Sequence, residues 1–374
     1  RKMSIMLISS ETSEVLEKSV AERRETYCSG LFLSARWFVI SHICKSGLQV
    51  IVLPDKDSAE YCAADLYNLV EGDNVFFLPD SGKNVERSNY KSSLAVQRTA
   101  AIGSILADKD NAELLYIVTY PEALEEMIPD KTRISGALLT LKKDQTISFD
   151  EIVNRLTSNN FCRVDFVSAP GQFAIRGSII DIFSYSFNNP YRISFFGNEI
   201  EKINVFDCNT QLSKEEKDSA DIFPDIIADD ENGTSDIMVS DIFPSDAVVW
   251  LDSSDVYKER SFYEGLSRFR RVYIDTPLSC TNVDPIKFNI APQPVFNKNF
   301  ELLTEDIRSR LERGYRVCIF AEKESQADRL KSVLYQNEGV MPEFIAGKNI
   351  HRGFIDNENK ICCYTSTELP SEEA

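Results

Sequence analysis

Between residues 30 and 125 the chain keeps switching between two patterns, and this constrains its fold more than any other feature. Short β-rich apolar runs, LQVIVLPD (48–55), NVFFLPD (74–80) and LLYIVTYP (114–121), are separated by helical stretches, DSAEYCAADLYNLV (57–70) and KSSLAVQRTAAIGSILA (91–107). Two of the runs stop in Pro-Asp and the third in Tyr-Pro, a sharp end for a strand. Strands that alternate with helices build a parallel sheet with helices on its faces. A later run, AVVWLD (247–252), is apolar without alternation, as in a strand buried on both sides. The expected class is α/β, a parallel-sheet domain of the kind in which a phosphate-binding loop would be sought.

That pattern is interrupted. From about residue 140 a strand, a helix opened by Ser148 with Glu151 three residues on, and then a meander of strands replace it. The α/β flavour returns after 222. The reading is therefore an α/β domain in two parts, 1–139 and 223–288, around an inserted α+β domain at 140–222. A proline-containing linker, NIAPQPVFNKNF (289–300), then leads into a small third α/β domain at 289–374. Its expected elements are the helix ELLTEDIRSRLERG, the strand YRVCIFA and the helix KESQADRLKSVLYQN. The last residues, TELPSEEA, bring no structural closure, so a longer chain is expected.

Chemistry is hard to find. A phosphate-binding loop needs glycines for close backbone approach, a lysine for the phosphates and a Ser/Thr for magnesium. At the first strand-to-helix turn Gly30 is present, but LSARW (33–37) stands where the rest belongs. The partner carboxylate would end an apolar strand. Asp252 does so, but a serine follows where a catalytic glutamate would sit, and a helix cap or turn role suits Asp252 as well. These two residues, Gly30 and Asp252, mark a degenerate nucleotide site. Two histidines and no CxxC pair among nine cysteines support neither nucleophilic catalysis nor zinc. DDENG (229–233) lacks the alternation of an EF-hand loop. No catalytic residue, metal or cofactor is assigned to this chain.

Bulk properties narrow the partners. A net charge of −18 makes the whole chain a poor grip for DNA. An odd number of scattered cysteines points to reduced thiols and a cytoplasmic protein, and no apolar stretch reaches the roughly 18 residues of a membrane helix. A monomer is expected.

The meander GQFAIRGSIIDIFSYSFNNPYRISFFGNEIEKINVFD (171–207) carries two arginines in apolar runs. Reading 173–184 as one strand puts Phe173, Ile175, Gly177, Ile179, Asp181 and Phe183 on one face, with Ala174, Arg176, Ser178, Ile180 and Ile182 on the other. In the next strand Arg192, Ser194 and Phe196 share a face, and Gly197-Asn198 forms a hairpin turn. Two readings stand: a half-solvated face whose arginines pair with Asp181 or Glu199, or an interface built on arginines and an aromatic ring.

The stretch PGQFAIRGSIIDIFSY…NPYRISFFGNEIEKINVFDCNTQLS closely resembles the pattern GxFxxRGxIxDIFP…PxRIxFFGDEIExIRxFDxxTQ. That pattern is shared by the transcription-repair coupling factors and the excision-repair protein UvrB. The missing lysine and glutamate place the chain with the coupling factors, whose amino-terminal UvrB-like module has lost its nucleotide site. The resemblance implies a non-catalytic adaptor whose inserted domain binds UvrA and brings it to stalled RNA polymerase. It implies that polymerase, double-stranded DNA, ATP and magnesium are handled by other domains of a full-length translocase. It also allows another domain to mask the docking face. The alternative is a UvrB-like ATP-binding helicase module. By motif, the UvrA-contacting positions fall on Arg176, Arg192, Phe195, Phe196, Asn198 and Glu199. Asn198 stands where the family has Asp, and Ser178 where glycine is common. Charge reversal at Arg192 is expected to abolish docking with no change in stability.

Overall fold

The structure, a computed structural model, describes residues 10–70, 74–82, 88–107, 113–185, 189–226, 236–275, 283–336 and 340–370. The acidic stretch 229–233 and Cys280 lie outside them. The chain divides into two compact units, Arg1–Val75 with Asp110–Val118 and Ser245–Ala374, and Phe76–Lys109 with Thr119–Pro244.

The first unit holds the α/β layer. Its sheet runs in the order Ile286–Lys287, Glu25–Ser29, Arg270–Tyr273, Val248–Leu251, Leu48–Val52, Leu115–Thr119, and ends on Val75–Phe77, where the chain leaves this unit. The pairings through Glu25–Ser29 and Val248–Leu251 are parallel. All residues of Leu48–Val52 and Val248–Leu251 are buried, as strands covered on both faces must be. Strands from either side of the insertion thus interleave in one sheet, the fold class expected.

A second sheet in this unit has the order Ile290–Pro292, Phe354–Asp356, Ile361–Thr365, Arg316–Ala321, Glu343–Ala346. Part of the expected linker is its edge strand: Ile290–Pro292 pairs antiparallel with Phe354–Asp356. Pro292 is tolerated there because an edge strand need not donate on its outer side. Helix Phe300–Glu312 starts on Asn299, whose side chain accepts from the amides of Glu301 and Leu302 at 2.9 and 3.2 Å. It stops where Gly314 takes φ +81°, beyond the cap residue Arg313. Leu303, Ile307, Val317, Ile319, Leu334 and Tyr364 fill the core between this helix, helix Glu324–Gln336 and the sheet.

The second unit contains the meander. Its sheet has the order Ser213–Lys217, Glu199–Phe206, Tyr191–Phe196, Ile179–Ile182, Gln172–Arg176, Cys162–Arg163. Helix Phe149–Ser158, capped by Ser148 on the Glu151 amide, packs beneath it. Ile152 and Leu156 meet Phe173, Ile180, Ile182, Ile193, Phe195 and Ile203 in the core. The strands at the two ends of this insertion, Leu139–Lys142 and Ser219–Ile222, pair antiparallel from Lys142↔Ser219 to Leu139↔Ile222. Entry and exit are therefore adjacent, which is what lets a domain sit inside another without disturbing its sheet.

One sequence-based assignment changes. Residues 173–184 are not one strand but a hairpin, Gln172–Arg176 and Ile179–Ile182, turning at Gly177 with φ +60°. Arg176 pairs with Ile179 and Ala174 with Asp181. Alternation restarts across the turn, so Asp181 shares a face with Ala174 and Arg176, while Ile180 and Ile182 join Phe173 in the core.

Candidate functional site

The face opposite the helix is where the two arginines meet. Asp181, on the central strand, stands directly across from Arg192 and diagonally from Arg176. Its side chain is 2% exposed. Arg192 grips it with a fork, Nε to Oδ1 at 2.8 Å and Nη2 to Oδ2 at 3.0 Å. Arg176 donates from Nη2 to the same Oδ2 at 2.5 Å. Two guanidinium groups share one carboxylate, leaving a surplus positive charge.

Each arginine also lies over a ring. Arg192 stands 4.1 Å from the centroid of Phe206, and Arg176 5.3 Å from that of Phe166. Phe206 belongs to a small apolar cluster with Val167, Ala174 and Phe183 on this face. Arg192 is further braced by Gln211, whose Oε1 and backbone oxygen accept at 3.0 and 3.4 Å. Gln211 adopts φ +61° in the turn after Glu199–Phe206, and its own Nε2 is tied to the Cys208 carbonyl at 2.8 Å. As a result only 18% of the Arg192 side chain is exposed, against 39% of Arg176.

The other residues singled out by sequence divide sharply. Phe196 is 81% exposed, four residues along the strand from Arg192 and on the same face. Its neighbour Phe195 is in the core, 5% exposed and edge-on to Phe149 at 5.5 Å, and offers no surface to a partner. Alternation along the strand makes that division unavoidable. Asn198, in the tight turn with Gly197 at φ +62°, and Glu199, which opens the next strand, are exposed, and the Asn198 carbonyl accepts from Ile147 at 2.9 Å. The sequence reading missed Phe166 and Leu212, exposed by 63% and 68% on the segments flanking this face, and Gln211. An apolar residue in a loop carries no periodic signal that would have found them.

Gly30 and Asp252 lie in the first unit. Gly30 has φ +70° and closes the strand Glu25–Ser29. A Cβ placed on it would sit 2.3 Å from the Phe288 carbonyl oxygen, so the neighbouring backbone occupies its open side. Helix Ala35–Ile43 begins five residues later. Arg36 in its first turn reaches Asp252 at 3.0 Å through Nη1, and its Nε donates to the Leu33 carbonyl at 2.7 Å. Trp37, where a magnesium-binding hydroxyl would be needed, is 2% exposed. Asp252 lies in the bend after Val248–Leu251, the turn role the sequence allowed, and Ser253 takes the cap position of the next short helix. Among the described residues no group of three His, Cys, Asp or Glu is arranged to hold a metal ion, and no helix is long and apolar enough to cross a membrane.

Residues 139–226 match the family model of the UvrB interaction domain. The fold is thus that of an α/β chain with a domain set into it that matches the UvrB interaction domain. Its relatives are more particular. The chain is 29% identical over 204 residues to the transcription-repair-coupling factor of Bacillus subtilis (strain 168), covering 54% of this chain and 17% of that protein. It is 30% identical over 191 residues to that of Mycobacterium bovis, covering 50% and 15%. The factor of Escherichia coli (strain K12) is 35% identical over 91 residues, covering 24% and 8%. The first two matches span about half of this chain and the third about a quarter, and in each the matched part is under a fifth of the relative's length.

Proposed function

We propose that this chain is an adaptor module of a transcription-coupled DNA repair factor that docks UvrA through the face bearing Phe196, Arg176 and Arg192 and performs no chemistry itself. The observation that carries the reading is Phe196, a large aromatic side chain 81% exposed on a UvrB interaction domain. A solvated phenylalanine on the same sheet face as cationic guanidinium groups is the composition of an interface anchor. In such a factor, RNA polymerase and duplex DNA are engaged by other parts of the protein, and a further domain covers this face until docking is needed. The nucleotide site is degenerate in this reading, because Arg36 already neutralises Asp252.

Phe196→Ala is the cleanest test. It removes a side chain with little structural work to do, whereas charge reversal at Arg192 would set a second carboxylate against the buried Asp181. That geometry replaces the expectation of an unchanged fold for the reversal. Calorimetry with UvrA is expected to show Phe196→Ala binding at least about tenfold more weakly, with an unaltered thermal midpoint. Wild-type affinity in this variant would remove the face from the interface.

A further inference from the structure

Resting on that reading of the docking face, we infer that Asp181 is its positioning residue, and that the two arginines have different jobs. Arg192 is committed internally: its Nε and both Nη atoms make bonds to Asp181 or Gln211, and its guanidinium lies over the Phe206 ring. Arg176 makes one bond, from Nη2 to Asp181. Its other N–H groups point away from that bond in the rigid fork of a guanidinium. Arg176 is therefore the cation offered to a partner, and the chemistry that fits it is a carboxylate. Asp181 holds it in place without using up its donors.

The arrangement has a physical rationale. A long arginine free in water loses rotamer entropy when it is captured, and that loss weakens binding. Holding one Nη on a buried carboxylate and the group over Phe166 removes part of the loss in advance. Sharing Asp181 between two cations keeps the net charge of the cluster positive, so the clamp does not cancel the attraction it positions. Gln211 locks the inner arginine from the far side, so Arg192 cannot rotate and release Asp181.

The test is a double-mutant cycle on UvrA affinity, run where circular dichroism shows each variant folded. Asp181→Asn is expected to weaken binding about tenfold, and to cost less than about twofold once Arg176→Ala is already present. A positioning residue gives that non-additivity; a residue that only stabilises the sheet loses the same factor in both backgrounds. Gln211→Ala, in a half-exposed turn, is the variant that stays folded if Asp181→Asn does not. It is expected to cost about threefold in the wild-type background and nothing in an Arg192→Lys background. Wild-type affinity for Asp181→Asn, or equal losses in both backgrounds of either cycle, overturns the clamp. If Phe196→Ala also binds normally, the docking face is wrong; if Phe196→Ala fails while the cycles are additive, only the clamp is wrong.

Discussion

At the scale of single residues, Gly30 shows how one position can carry a packing role beside the role its sequence suggests. In the sequence it is the remnant of a phosphate loop. In the structure its left-handed φ of +70° and the Phe288 carbonyl oxygen, 2.3 Å from where a Cβ would be, give it a packing role. A side chain there meets backbone, which cannot rotate out of the way. Gly30→Ala is expected to destabilise the first unit by about 3 kcal/mol, combining left-handed strain with the clash. Urea denaturation measures it; an alanine variant as stable as the parent would show that strand Ile286–Lys287 shifts freely. Arg36 is the converse case. The sequence reading registered a missing lysine, but only the fold brings Arg36 against Asp252, since their contact spans the whole insertion.

At the scale of elements, what was legible depended on whether a pattern survived its turns. The strand Tyr191–Phe196 keeps strict alternation, and the shared face of Arg192 and Phe196 could be read from it. The hairpin before it could not, because the turn at Gly177 restarts the alternation and brings Asp181 round to the arginines. Contacts between distant elements left no trace in the sequence at all. Asp65, in helix Lys56–Val70, is 3% exposed; it accepts from the Ser34 hydroxyl at 2.7 Å and from the His351 amide at 2.8 Å. The same hydroxyl accepts from the Arg352 amide at 3.0 Å, and His351 stacks on Tyr61. These bonds fasten the 347–352 loop to two helices of the α/β layer.

Burial pushes the Asp65 carboxyl up to about 6, against the opposing pull of the Ser34 and His351 bonds and the Arg36 charge. The folded protein then holds this proton more tightly than the unfolded chain, whose value is the ordinary 3.8. The stabilisation from that proton is complete below about pH 4 and is lost as pH rises through about 6. Relative to Asp65→Asn, the wild type is expected to lose about 2–3 kcal/mol between those limits and to run parallel above them. Parallel stability curves across the whole range, by denaturant titration at each pH, would remove Asp65 from the account.

At the scale of the whole molecule, the α/β class and the insertion were readable because they rest on long periodic segments and on where those segments stop. The strand Ile290–Pro292 was not, since its proline disguised an edge strand as linker. The remaining question at this scale is whether this parallel sheet takes a nucleotide. A phosphate loop works by presenting an uncommitted cation and open backbone amides at the start of a helix. Here the cation in the first turn is bound to Asp252 at 3.0 Å and to the Leu33 carbonyl, the next residue is the buried Trp37, and the open side of Gly30 is filled. ATP would have to break an ion pair whose partners are both largely shielded from water, and would leave Asp252 without its cation. Titration of this chain with ATP and magnesium is therefore expected to show no saturable heat up to about 1 mM, where binding energy is only about 4 kcal/mol. A micromolar isotherm would restore the ATP-binding helicase reading, and Arg36→Ala would then separate a nucleotide that displaces the pair from one that binds elsewhere.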